Sequence, residues 1–578
     1  MSPERVGDGR RPVRITFAIV LALQVFLAAW GVADQWTRGH NGWNGAAYHN
    51  AARSTLRWHV LFPLQYDTAN VPPKPEQLYT HAPLALHLNN VVSLKLFGDR
   101  ELSIRLVAGF WSVAALCMLF AVVRRLWDDA HALAASAIYV ALPINAIYTN
   151  MANHSAGFIF WSLLALYLYV RASRAPPWRR LDFAVFLASF AIAATWDWPA
   201  YYIAFAMALH WAWALSGERT TGTALSGERT TGPASGSAAQ LLGFCAWVLL
   251  LFVGHFVLAE LLAGNLDELR GAFNSRRALS WTRFRTHLLV VPELMFTAPI
   301  LGICALWLGG WVARMFHGRA QARDLLPVAY FAAGLIHYWT FRWSAIVHSY
   351  WAWPMLPAVA IVVTVSLFAA ARWIRVRAGL LASFSVLLLL LPLAIRVAQI
   401  VPTGRYVGGS MWFFTPVRGE IDEYDSGRPE LRFARRVKSW TDRDTGVQLH
   451  TSFKDYRLEP RFDITLDRVT HRWSQNPRSE IPNEQGATGW VFVAAVDAFS
   501  EEERAVFASR HPYRQFGDYF MLDLRVEARD IEAWGLTPVP YTPRWRLLHS
   551  SFEPPVRAAR LIGVEQSLDQ KVAELNAR

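Results

Sequence analysis

Asp197 lies in the run Trp196-Asp197-Trp198-Pro199, between two strongly apolar stretches. A carboxylate at the edge of an apolar helix costs free energy unless it pairs or faces water, so a functional role is expected of Asp197. His154, closing Asn150-Met151-Ala152-Asn153-His154, is a second group able to move a proton near neutral pH. Arginine supplies the planar fork that fits a phosphate. Arg342 offers it just ahead of His348-Ser349-Tyr350-Trp351, and an arginine-rich stretch offers it at Arg270, Arg276, Arg277, Arg283 and Arg285. These types suit binding of a phosphate or pyrophosphate beside groups able to move a proton, with Asp197 and His154 as the candidate catalytic groups. Arg342, His348, Arg283 and Arg285 are the candidate phosphate ligands, and Asn153 and Tyr350 are candidate substrate contacts. The plainer reading, that tryptophan and histidine at helix ends are interface anchors, competes at each position.

The elements that must position these residues are long apolar runs. Hydrophobic residues make up 53% of the chain and charged ones 17%, against about a quarter in a soluble domain. A hydrocarbon core needs ~20 apolar residues in a helix, and unpaired backbone groups in lipid leave helices as the only reading for such runs. Spans are expected near Ile15–Ala33, Ile104–Leu126, Ala132–Tyr148, Gly157–Val170, Phe183–Trp196, Tyr201–Leu215, Leu241–Ala263, Leu289–Val312, Leu326–Trp339, Ala352–Ala370 and Leu380–Ile400. The first, led by Arg10, Arg11 and Arg14, is longer than a signal-peptide core and reads as a retained anchor. With the N-terminus cytoplasmic, Arg124 and Arg125, Arg171 to Arg180, Arg314 to Arg323 and Arg372 to Arg377 all fall in inside loops, as the positive-inside rule requires. The candidate residues then share the outer side. The arginine-rich stretch runs against the rule there, which is why a phosphate-binding role suits it.

A formal net charge of +13 would suit nucleic acid, but much of it lies in short loops where arginine sets topology, so no nucleic-acid partner is expected. Cys117, Cys245 and Cys304 stand apart inside apolar runs and form no framework. No P-loop, GxGxxG or HExxH is present. A transporter reading lacks paired broken helices and is poor in intramembrane charge, Glu260 and Glu293 being the nearest exceptions. No residue set points to a metal; the cofactor is unknown, with a divalent cation left open. The tandem ALSGERTTGT/ALSGERTTGP at Ala214–Pro233 reads as a duplication in a flexible inside loop. After about Pro402 the chain turns polar, with strands expected at Trp490–Val496 and Tyr519–Leu524 and a helix at Glu501–Ser509.

The long first outer segment, 34–103, carries a recognisable order of motifs. Trp43-Asn44-Gly45 and Tyr48 come first, then Ala52-Arg53, with an amphipathic run at Ala51–Trp58. His81-Ala82-Pro83-Leu84 and Leu96-Phe97-Gly98 follow. This order resembles the GT-C glycosyltransferases that use polyprenyl-phosphate sugars, in particular the branch of bacterial protein O-mannosyltransferases and lipid A aminoarabinose transferase. The resemblance covers roughly residues 10–400. It implies an all-α polytopic membrane protein of about eleven transmembrane helices (1–402) with a small extracytoplasmic α/β domain (403–578). It further implies a bacterial inner-membrane location, membrane lipid and a polyprenyl-phosphate sugar as partners, and a glycan, lipid or protein acceptor of unknown identity. His81 takes the place of the family's basic residue at the phosphate, and Trp43 and Tyr48 become substrate contacts.

One departure bears on chemistry. Aligning on Tyr48 and Arg53 puts Asn44 and Gly45 where the family carries an acidic pair. An amide takes no proton at neutral pH, so Asn44 is left to position a substrate by hydrogen bonds. The base must then be another carboxylate, Asp197 first and Asp67 or Glu76 next. The alternative is a non-catalytic GT-C relative that binds a lipid-linked glycan or scaffolds envelope assembly.

Overall fold

The computed structural model describes residues 10–33, 36, 40–61, 78–81, 83–172, 179–220, 238–263, 266–277, 295–317, 319–373, 405–409, 416–422, 429–442, 445–450, 452, 465–466, 469–474, 489–511 and 513–524. Ten of the eleven expected spans fall on helices: α1 (Arg10–Ala29), α4 (Glu101–Leu126), α5 with α6 (Asp129–Ala141, Pro143–Tyr148), α7 (Ser155–Ala172), α8 (Arg180–Trp196), α9 (Pro199–Thr220), α10 (Ala238–Ala263), α12 (Ala298–Phe316), α13 (Leu325–Thr340) and α15 (Leu356–Trp373). The eleventh, Leu380–Ile400, lies outside the described residues. Three further helices belong to the loops: α2 (His40–Trp58), α3 (Ala85–Phe97) and α11 (Asp267–Arg277). A short one, α14 (Arg342–Val347), leads through a 3-10 segment (Ser349–Met355) into α15.

Five of the described helices, α4, α7, α10, α12 and α15 with its preceding turn, are long and apolar enough to cross a membrane. The chain is a multi-pass membrane protein. Helix α10 shows what solvent it needs. Leu242, Leu249 and Leu261 are 61–76% exposed, and a helix apolar on all faces is stable only where the medium is apolar too. The core runs from α4 and α5 through α7 and α8 to α13 and α15. Small residues set its close approaches, as at Gly157, where a side chain would collide with the indole of Trp196.

Two local differences from the sequence reading have plain causes. The expected span Ala132–Tyr148 is divided, because Pro143 begins a new helix while Leu142 before it is extended. The loop helix starts at His40 rather than Ala51. It accommodates Gly45 because the ring of Trp36 occupies the space a side chain would need there.

Buried polar contacts hold α1 in place. Asn145 Nδ2 donates to Gln24 Oε1 at 2.8 Å, and Gln24 Nε2 donates to Thr149 Oγ1 at 3.2 Å. Asn150 then bridges outward, donating to the Trp30 carbonyl at 2.6 Å and accepting from Asn41 Nδ2 at 2.9 Å. Each amide satisfies another, as burial in an apolar medium demands. The chain links the end of α1 to the start of α2.

The C-terminal region holds an antiparallel pair, β1 (Arg405–Gly409) with β2 (Pro416–Asp422). Beyond it lies a five-stranded mixed sheet of β3 (Thr445–His450), β4 (Val469–Ser474), β5 (Gly489–Ala495), β6 (Tyr513–Phe516) and β7 (Tyr519–Asp523), in the order β4-β3-β5-β7-β6. β3 runs parallel to β4 and β5, while β7 is antiparallel to β5 and β6. Alternate residues feed two cores. Val447, Leu449, Val491, Val493 and Met521 pack with α16 (Pro429–Trp440) on one face. Phe492, Ala494, Phe520 and Leu522 pack with Phe507 of α17 (Glu501–Arg510) on the other. α17 opens with a capping box between Ser500 and Glu503. The expected strands and helix of this region are all present.

Candidate functional site

Helix α2 presents Trp43, Asn44, Ala47, Tyr48 and Ala51 on one side, the spacing of a single helical face. Its other side is fastened. The Arg105 guanidinium lies 4.5 Å over the Trp36 ring that covers Gly45. Asp99 accepts from Arg53 Nε at 3.0 Å and meets His49 Nε2 at 2.6 Å. Those contacts hold the Asp99 carboxyl well below the usual range against the opposing effect of its burial. Gly98, with φ +87°, supplies the left-handed turn that brings Asp99 back to α2. The Ala-Arg and Leu-Phe-Gly motifs are thus two halves of one clamp.

The segment after α2 is pinned from above and beside. Trp198 Nε1 donates to the His81 carbonyl at 2.8 Å, and His255 Nε2 donates to the Thr80 carbonyl at 3.0 Å. This presents Tyr79 and His81 to α11, where Arg276 Nη2 donates to the Tyr79 hydroxyl at 3.1 Å and to His81 Nε2.

Between these elements lies a cavity of about 630 Å³, a size that suits a small-molecule substrate. Nine of the twelve candidate residues line it: Trp43, Asn44, Tyr48, His81, Asn153, His154, Asp197, His348 and Tyr350. Arg342 is not in its wall; its Nη2 donates instead to the Arg277 carbonyl at 3.4 Å. Arg283 and Arg285, with Asp67 and Glu76, lie outside the described residues.

Asp197 sits in the turn between α8 and α9. Burial pushes its carboxyl up to about 7, although the Trp198 backbone N–H donates to Oδ1 at 2.9 Å and Arg276 adds an opposing charge. A carboxylate tuned there is matched to taking and returning a proton near neutrality. Burial also raises the Tyr48 hydroxyl and lowers the His154 ring to about 3. The Tyr48 hydroxyl and the neutral His154 ring share a hydrogen bond at 2.6 Å. Asn44 hydrogen-bonds to the Tyr350 hydroxyl and reaches Met151 Sδ at 3.7 Å. Among the described residues no group of three or more His, Cys, Asp or Glu side chains converges as a metal site.

The family model for dolichyl-phosphate-mannose-protein mannosyltransferase matches residues 80–225. Three solved structures align over most of the chain. ArnT from Cupriavidus metallidurans bound to undecaprenyl phosphate is 12% identical, with 89% of this chain and 98% of that chain covered and a TM-score of 0.54. The same protein in its apo state gives 12%, 88%, 97% and 0.52. The apo oligosaccharyltransferase of Archaeoglobus fulgidus is 14% identical, with 86% and 70% covered and a TM-score of 0.53. No curated protein matches the chain. The chain has the GT-C glycosyltransferase fold.

On this GT-C scaffold the residue that sequence reasoning passed over is Arg276. It stands among five arginines of one stretch, and nothing in spacing separates it from Arg283 or Arg285. What singles it out among the described arginines of that stretch is tertiary: its guanidinium reaches Tyr79 and His81, 195 residues and more away in sequence. It also lies 6.0 Å over the Trp351 ring.

Proposed function

We propose that this protein is a membrane glycosyltransferase that moves a sugar from a polyprenyl-phosphate donor to an acceptor on the outer side of a bacterial inner membrane. In this reading the chain divides near residue 402 into the transmembrane part and an extracytoplasmic domain. The observation that carries it is the pairing, within one cavity, of a half-buried carboxylate poised at about 7 with a half-buried guanidinium: Asp197 and Arg276. The ArnT structure bound to undecaprenyl phosphate supports the donor class by likeness of fold.

The acceptor hydroxyl oxygen attacks the anomeric carbon, the bond from that carbon to the phosphate oxygen breaks, and its electron pair leaves on polyprenyl phosphate. Asp197 takes the acceptor proton. Arg276, backed by Tyr79 and His81, holds the phosphate and offsets the charge that grows on it. A single displacement of this kind inverts the anomeric carbon. Neutral His154 fixes the Tyr48 hydroxyl, and Asn44 with Tyr350 places polar atoms opposite the acceptor. Aromatic rings from Trp43, Trp198 and Phe252 give the sugar and the first isoprene units an apolar wall.

The test is sugar transfer in vitro from polyprenyl-phosphate sugars by wild type, Asp197→Asn and Arg276→Ala. Loss of turnover in the first with donor binding kept, and of donor binding in the second, supports the assignment; full activity in both sinks it. The second reading is a non-catalytic GT-C relative, favoured by Asn44 at the position of the family's acid. Its signature is lipid-phosphate binding that depends on Arg276 with no turnover of any donor.

A further inference from the structure

The C-terminal sheet unit is polarised in charge. Helix α16 buries Leu431, Phe433, Ala434 and Val437 against the sheet, which fixes its other side outward. That side carries Arg432, Arg435 and Arg436 on one stripe, with Lys438 beside them, all exposed. Strand β6 adds Arg514, whose guanidinium lies 5.5 Å over Trp440, while Arg436 lies 5.2 Å over Phe516. Cationic heads therefore flank two half-buried aromatic rings, the composition of an interfacial surface. Among the described residues, half-buried Glu430 lies in the first turn of α16, and the exposed acids Asp442 and Asp518 lie beyond the helix and between β6 and β7. Across the sheet the sign reverses, since α17 opens with exposed Glu501 and Glu502.

We propose that this unit lies with its α16 face on the anionic lipid headgroups of the membrane that the chain itself spans. Charge complementarity commits the partner, and the covalent tether supplies it. A surface attached to a bilayer-spanning chain meets headgroups at a high local concentration, and each arginine near an anionic leaflet strengthens the association about fivefold. The opposite charge on the two faces sets the orientation: the basic face turns toward anionic lipid and the acidic edge of α17 away from it. Docking would limit the ways the unit can sit above the helical body.

The experiment uses the full chain in nanodiscs of phosphatidylcholine alone or mixed with phosphatidylglycerol, read by hydrogen exchange of the amides of α16. Expected is slower exchange across Pro429–Trp440 in the phosphatidylglycerol discs, reversed by high salt. The triple variant Arg435→Glu/Arg436→Glu/Arg514→Glu should lose that protection, and the matching lysine variant should keep it. Unchanged exchange of the buried amides of β5 in both variants shows that the sheet is intact. Equal exchange in the two lipid mixtures would overturn the proposal. So would protection that appears in phosphatidylcholine discs only when soluble polyphosphate is added, which would mark the face as a binder of free polyanions.

Discussion

The Tyr48 hydroxyl lies 2.6 Å from His154 Nε2, joining the helix of the first long loop to the turn that opens α7. Burial keeps the phenol protonated and the imidazole neutral, so the contact is a hydrogen bond between two uncharged groups. Tyr48→Phe keeps the ring, whose edge meets His154 with centroids 5.4 Å apart, and removes only the hydroxyl. Turnover should fall by about tenfold, the worth of one neutral hydrogen bond of ~1 kcal/mol together with the misplacement that follows. His154→Gln, whose amide still offers a hydrogen-bonding partner to the Tyr48 hydroxyl, should keep most of the wild-type rate, and steady-state kinetics of the two variants decides between orientation and proton transfer.

The pH dependence belongs to Asp197. As a base it must be ionised, so kcat/KM should rise with pH through about 7 and then level off. His154 adds no second limb, because its value of about 3 lies below the working range. Asp197→Asn should cost about 10²–10⁴-fold in rate and remove the limb. Stability moves the opposite way. A carboxyl whose folded pKa is raised favours the fold below its unfolded value and withdraws that support as pH rises through about 7. The asparagine variant should therefore melt above wild type on the alkaline side and level with it in acid.

Arg276 and Arg342 separate two readings of the same arginine-rich surface. Arg276→Ala should lower transfer by about 10²–10³-fold and weaken binding of the donor. Arg276→Lys should recover only part of it, since one ammonium cannot serve Tyr79, His81 and a phosphate together. Arg342→Ala, which removes a hydrogen bond to the Arg277 carbonyl outside the cavity wall, should change the rate by less than about threefold. A larger fall in the second variant than in the first would reverse the assignment.

How much of this was legible in the sequence depends on the range of the interaction. The helices follow from apolar runs, and the face of α2 follows from the spacing of Trp43, Asn44, Ala47 and Tyr48. Asp197 and His154 stood out because ionisable groups at the ends of apolar runs demand a reason. The choice of Arg276 was not legible, because it depends on where Trp198 and His255 pin the backbone at Thr80 and His81. The break at Leu142-Pro143 was written locally, yet an apolar run is blind to the single proline that divides it. Nor does composition reveal that Gly45 is filled by Trp36, a contact between segments that share no periodicity.

The clamp on α2 gives a stability prediction free of catalysis. Arg53→Ala leaves Asp99 with one partner and His49 with an uncompensated neighbour. Because Asp99 is half exposed, solvent screening keeps the loss to about 1–2 kcal/mol. Asp99 has a depressed pKa, so its contribution is complete at neutral pH and is lost as pH falls through and below the ordinary carboxylate range. Thermal melts should therefore separate wild type from Arg53→Ala at neutral pH and converge in acid, with KM for the donor nearly unchanged.

The two positions where the family resemblance expects acids behave differently here, and that difference is testable. Asn44 lines the cavity beside Tyr350, so Asn44→Asp places a carboxylate among groups able to receive it. If the base has moved to Asp197, Asn44→Asp in an Asp197→Asn background should restore measurable transfer, with a pH limb set by the new carboxyl. At Gly45 the side chain would meet the Trp36 ring, itself held under Arg105, and the indole has no room to yield. Gly45→Asp should therefore fail to accumulate as folded protein, while Gly45→Asp with Trp36→Ala recovers folding in part. Transfer by the first double variant at the background level of Asp197→Asn would show that position 44 no longer faces the acceptor oxygen, and the geometry of α2 would need to be redrawn.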